Sequence, residues 1–301
     1  MLFFQRVASA RQLDPNRPAT MQTSWSSRLV GALEEWSPLE SACRTVFAWL
    51  EPIMRLQGAA RTKDVLHGRW LGHALHPVMV DLPIGFWTSA MLLDAAGHRR
   101  SARLLTVAGT LSALGAAATG AADWSVTDGR ERRLGLVHGA LNVTATVLNA
   151  ASVFAPKRYR ALSWTGGAIA TASAHLGGEL VFGRGLMVDH DAWLAGPEKW
   201  TVVGKVVDIK NGATKGVTLA GRTLLLYRRG ARVYAMEAAC THAGGPLQDG
   251  EVKDGMVICP WHGSKFRLTD GACMLGPATF PQLRLESRIR DGAVEVRGRK
   301  G

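Results

Sequence analysis

Three stretches without a single Asp, Glu, Lys or Arg constrain this chain most: residues 104–122 (19 residues), 134–156 (23) and 161–178 (18). At about 1.5 Å per helical residue, runs of this length reach across the ~30 Å apolar core of a bilayer. A further apolar segment precedes them, opened by Pro77 and carrying Asp81. The pattern predicts four helices, at about His76–Ala96, Arg103–Ala122, Leu134–Ala155 and Ala161–Phe182. Short loops join them, so neighbours should run antiparallel. Gly109, Ala113, Ala117 and Ala121 recur every fourth residue, as do Gly166, Ala170, Ala174 and Gly178. Small side chains in such rows let helix backbones approach closely in lipid. An Ala-rich soluble bundle is the competing reading, and the uncharged lengths disfavour it.

Ahead of the bundle, Val46, Leu50, Ile53 and Met54 fall at helical spacing within residues 39–56, with Phe47 and Trp49 beside them. This amphipathic helix either packs on the bundle or lies at the membrane surface. Cys43 reads as a small packing residue. Leu2, Phe3 and Phe4 are too short an apolar run for a signal peptide, no twin-arginine pair follows, and Met21 is an alternative start. The chain carries 36 Lys and Arg against 24 acids, a net charge of +12 spread without dense clusters. Loops flanking membrane helices house such arginines more economically than a nucleic-acid surface, so no nucleic-acid partner is expected. Four cysteines in 301 residues exclude a disulfide-built mini-protein.

After a Gly- and Pro-containing linker (residues 183–199), the pattern changes to short β-type runs. These are Val202-Val203, Val206–Ile209, Val217–Leu219, Thr223–Tyr227 and Val233–Met236, followed by two Gly/Pro-rich loops. Leu283–Ile289, the turn Asp291-Gly292 and Ala293–Val296 close the chain as a hairpin.

The two loops hold the strongest chemical signal, Cys240-Thr241-His242 and Cys259-Pro260-Trp261-His262, with sixteen residues between His242 and Cys259. Each loop offers one thiolate and one imidazole. Two such loops can place two sulfurs on one iron and two nitrogens on the other iron of a [2Fe-2S] cluster. Neutral imidazoles in place of thiolates leave the cluster less negative and raise its potential. A zinc site from the same four residues is the alternative, less suited to this spacing. The stretch CTHAGGPLQDGEVKDGMVICPWHGSKF resembles the Rieske iron–sulfur family, over about residues 200–297. That resemblance implies Cys240, His242, Cys259 and His262 as ligands, and a cover formed by the Gly276-Pro277-Ala278 loop. Gly244, Gly245 and Gly263 are expected to turn backbone N–H groups toward the sulfurs by unusual φ angles. Ser264 is expected to donate a hydroxyl to a sulfur, and both imidazoles to present an exposed edge for electron exit. Gly245 and Trp261 stand where the cytochrome bc subtype has an extra cysteine pair, and Phe266 where it has a tyrosine donor. The ferredoxin-like or oxygenase-like subtype is therefore expected. With 39 residues after His262, the large iron domain of a ring-hydroxylating oxygenase subunit is not expected. Cys273 reads as structural.

The segment HALHPVMVDLPIGFW resembles the opening of an uncharacterised family of four-helix bacterial membrane domains, over about residues 67–185. His76, His138 and His175 should fall in one leaflet, with Asn142 and Glu179 one turn from the latter two. They either brace the bundle by hydrogen bonds or build a second redox site, a bis-His haem b or a quinone pocket; a proton or metal path is a further reading. The expected organisation is an N-terminal segment (1–66), a four-helix transmembrane domain (67–185), a linker (186–199) and an all-β Rieske domain (200–301). The expected role is a one-electron carrier serving an oxygenase, reductase or respiratory partner, an electron-transfer component rather than a stand-alone catalyst. A quinol-oxidising or haem-containing redox subunit is the alternative. The expected location is the bacterial inner membrane, multi-pass. Seven basic residues on one face against six on the other leave the orientation undecided. A cluster assembled in the cytoplasm and lacking a folded-export signal is expected to stay there.

Overall fold

Segments that are both long and free of charge satisfy their backbone polar groups internally by coiling. The computed structural model describes residues 25–55 and 59–298. Its helices are α1 (Trp25–Glu35), α2 (Ser37–Arg55), α3 (Ala59–Leu66), α4 (Leu75–Ala95), α5 (Arg99–Trp124), α6 (Gly129–Phe154) and α7 (Tyr159–Gly178). Leu2, Phe3, Phe4 and Met21, and the side chains of Ile53 and Met54, lie outside the described residues. Among the described residues, 25–55 group with 77–184 as one unit, and 59–76 group with 185–298 as a second.

In the helical unit, α6 packs against α1, α2, α5 and α7. Glycines make the close approaches. A Cβ on Gly109 would stand 2.6 Å from the Trp87 indole, one on Gly167 2.6 Å from Met91 Sδ, and one on Gly166 2.6 Å from Asn149 Nδ2. On α5 the buried face runs Gly109, Ala113, Ala116, Thr119 and Ala122, while Ala117 is exposed. The expected every-fourth row drifts off the contact because four residues turn about 400°. The α4–α5 turn places Gly97 at φ 86. Just before it, buried Asp94 accepts from Arg160 Nε (2.6 Å) and Trp164 Nε1 (3.2 Å), which fastens the end of α4 to the start of α7. Helix α2 packs through Cys43, whose thiol donates to the Arg132 carbonyl, and through Phe47, tilted against Trp124 at 6.3 Å. Its Trp49 points outward, 80% exposed.

Three helices, α4, α5 and α6, are long and apolar enough to cross a membrane. Leu92, Leu104, Leu111, Leu114, Val143, Val147 and Phe154 are exposed along them, a belt that water would not favour. The fourth expected span corresponds to α7, which continues into a π-helical turn, Glu179–Gly183. Its 20 residues include many Gly, Ser and Thr, so by composition it does not join the other three.

The second unit is all-β apart from α3 and short 3₁₀ turns. Its strands are β1 (Thr201–Lys205), β2 (Thr214–Leu219), β3 (Arg222–Arg229), β4 (Arg232–Glu237), β5 (Glu251–Lys253), β6 (Met256–Ile258), β7 (Lys265–Arg267), β8 (Cys273–Leu275), β9 (Arg284–Arg290) and β10 (Ala293–Gly298). One antiparallel sheet has the order β1-β10-β9-β4-β3-β2 and the other β5-β6-β7-β8. The Asp291-Gly292 turn forms as expected, both residues at positive φ, with Arg290 opposite Ala293. The run Leu224-Leu225-Leu226 is wholly buried because both faces of the large sheet are covered. Leu225 joins Met236, Leu247, Val257 and Phe266 on one side, and Leu224 and Leu226 join Val233, Leu285, Val294 and Val296 on the other. Each such side chain contributes roughly 1.5–3 kcal/mol. Of Val206–Ile209, expected as strand, Val206–Asp208 is instead a 3₁₀ turn. Pairing with β10 ends at Lys205, and the Val206 N–H caps the neighbouring hairpin at the Gly292 carbonyl (2.9 Å).

Candidate metal centre

The two Cys/His loops leave the ends of β4 and β6 and repeat one backbone design. Cys240 N–H donates to Gly245 O (2.9 Å), and Gly244 N–H returns to Cys240 O (2.8 Å). In the other loop, Cys259 N–H donates to Ser264 O (2.8 Å), and Gly263 N–H returns to Cys259 O (3.0 Å). The glycine four residues after each cysteine has positive φ, 73° at Gly244 and 76° at Gly263. Gly245 differs from expectation: its φ is not positive, and its role is space. A Cβ there would stand 2.8 Å from Cys259 Sγ and 3.1 Å from the Trp261 ring.

This pairing of loops brings all four predicted residues together. The Cys240 and Cys259 thiols hydrogen-bond each other. The His242 and His262 rings meet edge to face, centroids 4.9 Å apart. Backbone N–H groups of His242 and Ala243 point at Cys240 Sγ, and those of Trp261 and His262 at Cys259 Sγ. The hydrogen bond from Cys240 pushes the Cys259 thiol down to about 7, helped by those N–H groups and opposed by burial. The same bond, with burial, pushes Cys240 up. A sulfur pair on one side and a nitrogen pair on the other fits two irons with two protein ligands each. Among the described residues no three His, Cys, Asp or Glu converge on a single ion.

The Gly276-Pro277-Ala278 loop follows β8. Ala278 N–H donates to Ser264 Oγ (3.0 Å), so Ser264 accepts from this loop, a contact the sequence did not suggest. Cys273 Sγ donates to Ala278 O (3.0 Å), and burial pushes that thiol up to about 12. Pro277, Thr241, Thr279, Phe280, Met187 and Val188 close round His242, which is only 5% exposed, while His262 is half-buried. One imidazole edge is thus accessible, rather than the two expected. Gln282 had no signature in the spacing. Its Oε1 accepts from Thr241 N–H (3.2 Å), and its Nε2 donates to Ala239 O and Asp191 Oδ2 (both 2.7 Å). Burial pushes the Asp191 carboxyl up to about 7.

Within the helical unit, His138 and His175 have different surroundings. His138 Nδ1 lies 2.9 Å from Ser173 O, its Nε2 lies 3.2 Å from Asn142 Nδ2, and Asn142 also donates to Ser173 Oγ (2.8 Å). His175 is exposed, because two residues beyond buried Ser173 is about 200° round α7. His76 belongs to the other unit. The surroundings of His138 and His175 give no support to haem or quinone.

Residues 199–287 match the Rieske [2Fe-2S] domain family, and residues 72–190 match a predicted membrane protein family, DUF2231. The chain is 32% identical over 102 residues to Ferredoxin CarAc of Metapseudomonas resinovorans, covering 34% of this chain and 95% of that protein. It is 32% identical over 82 residues to the ferredoxin component of the naphthalene 1,2-dioxygenase system of Pseudomonas aeruginosa, covering 27% and 79%. It is 32% identical over 94 residues to the cytochrome b6-f complex iron-sulfur subunit of Chlorobaculum tepidum, covering 31% of this chain and about half of that subunit, 51%.

Proposed function

The chain belongs to the Rieske [2Fe-2S] family through its C-terminal domain, and from that premise we propose that it is a membrane-anchored one-electron carrier. Cys240 and Cys259 would hold one iron, and His242 and His262 the other. When bound, the cluster supplies a centre that accepts or releases a single electron. The observation that carries this reading is the pair of matched loops, with thiols and imidazoles sorted into two pairs and N–H groups aimed at both sulfurs. Those N–H groups favour thiolate and stabilise negative sulfur. Ser264 Oγ receives Ala278 N–H, which leaves its own hydroxyl proton for a sulfur. Pro277, Met187 and Val188 shield His242 from water, so the His262 edge is the electron exit.

The helical unit is the anchor. Helices α4, α5 and α6 would span the bilayer, with α7 as the fourth span of a multi-pass protein in the bacterial inner membrane. We place the Rieske unit on the cytoplasmic side, where iron–sulfur clusters are assembled. The partner would be an oxygenase, reductase or respiratory protein, as the names of the similar ferredoxins and of the b6-f subunit suggest. The test is metal and sulfide content of the full chain purified from membranes in detergent. Two irons and two acid-labile sulfides per chain are expected; one zinc and no sulfide would refute the reading.

A further inference from the structure

Residues 59–71 lie outside both family regions, yet they fold with the β unit. Helix α3 and a 3₁₀ turn, Arg69–Leu71, form a short strap reversed at Gly68, where φ is +81° and a Cβ would stand 2.6 Å from Leu75 N. Asp64 on the strap is 12% exposed and uses its two oxygens separately. Gly276 N–H donates to Asp64 Oδ1 at 2.9 Å, and Arg69 Nε donates to Asp64 Oδ2 at 2.5 Å. Gly276 opens the loop whose next residue, Pro277, lines the space beside His242. The third residue, Ala278, is held by Ser264 Oγ through its N–H and by the Cys273 thiol through its carbonyl. The loop is therefore held at three points. Two come from Ser264 and from Cys273, the first residue of β8, and the third from a residue 212 positions earlier.

We propose that Asp64 is a positioning residue for the cluster site. Oriented by Arg69, it clamps the Gly276-Pro277-Ala278 loop over the His242 side through a charge-assisted hydrogen bond. The strap makes a segment N-terminal to the membrane domain part of the cover on the metal centre. This consequence for the cluster rests on the Rieske reading, whereas the clamp itself is a contact within the protein and is testable without metal.

Cys273 lies beneath the loop and reports its opening. The experiment is maleimide labelling of the full chain in detergent, with and without its metal, followed by mass spectrometry of the peptide containing Cys273. A hydrogen bond to a charged group shifts an open–closed equilibrium by about tenfold or more. Asp64→Ala should therefore speed Cys273 labelling at least ~10-fold. Asp64→Asn, which keeps an acceptor for Gly276 N–H, should stay within about threefold of wild type. In metal-loaded protein, Asp64→Ala should lose iron to a chelator faster than Asp64→Asn does. Equal Cys273 labelling in all three proteins would overturn the clamp. Should Asp64→Ala fail to fold, hydrogen exchange in the wild type decides: protection of the Gly276 amide supports the clamp and free exchange overturns it. Labelling as predicted in a chain that never assembles two irons would keep the clamp and remove the Rieske reading.

Discussion

Adjacent glycines in the first cluster loop do different work, and substitution separates them. Gly244 has φ 73° with open space around it, so a side chain meets backbone strain and nothing else. Gly244→Ala should cost about 1–2 kcal/mol of stability and leave the metal content unchanged. Gly245 has ordinary φ but faces Cys259 Sγ and Trp261, so Gly245→Ala drives a methyl group into the sulfur pair. Iron content per chain should fall at least severalfold in Gly245→Ala while the β-sheet circular dichroism persists. Equal iron in both variants would show that the approach to Cys259 is not needed. At this scale the four proposed ligands stood out in the sequence because residues with metal chemistry recur at a distinctive spacing. The division of labour between Gly244 and Gly245 was not, since both read only as "glycine in a loop" until their φ angles and neighbours are known. The exposure of His242 was misjudged for a related reason: Met187 and Val188, which cover it, lie more than fifty positions away and carry no signature.

At the scale of elements, Asp191 ties the segment leading into the β unit to the first cluster loop through Gln282. Burial raises its carboxyl from about 3.8 to about 7, and no partner reaches Oδ1. The folded chain therefore keeps the proton at pH values where the unfolded chain has released it. Stability from this group is present at acid pH, falls by about 1.4 kcal/mol per pH unit between those two values, and is flat above pH 7. Asp191→Asn removes the dependence. Denaturant unfolding should show the wild type losing stability relative to Asp191→Asn from pH 5 to pH 7; a difference constant with pH would contradict the assignment. In the bundle, His138 is a structural knot with Asn142 and Ser173. His138→Ala should cost about 1 kcal/mol of bundle stability and leave the rate of cluster reduction by a membrane donor unchanged. A slowed reduction with intact helices would restore a redox role for the bundle. The long helices were readable from uncharged length. The four-stranded sheet was not, because strands of three residues are too short to show alternation. Nor was the 3₁₀ turn at Val206–Asp208, whose valines favour a strand that lacks a partner beyond Lys205.

On the scale of the whole molecule, the proposed carrier with its own anchor would meet partners by diffusion in the plane of the membrane rather than through the bulk. The exposed aliphatic belt on α4–α6 predicts that the chain stays with membranes through alkaline carbonate and high salt and leaves only in detergent. Recovery in the carbonate supernatant would contradict the anchor. The domain boundary shows where sequence patterning stops being informative. Residues 58–76 look like a lead-in to the first membrane helix, and α3 within them is eight residues long. It groups with the β unit, and Gly276 N–H donates to its Asp64, a contact that neither hydrophobic period nor motif announces. The proposed centre has two imidazoles on one iron. Electron–nuclear double resonance on the reduced full chain, grown with ¹⁵N-histidine, measures that directly. Two inequivalent histidine nitrogens coupled to the reduced iron are predicted; coupling to one histidine nitrogen or to none would contradict the assignment of His242 and His262.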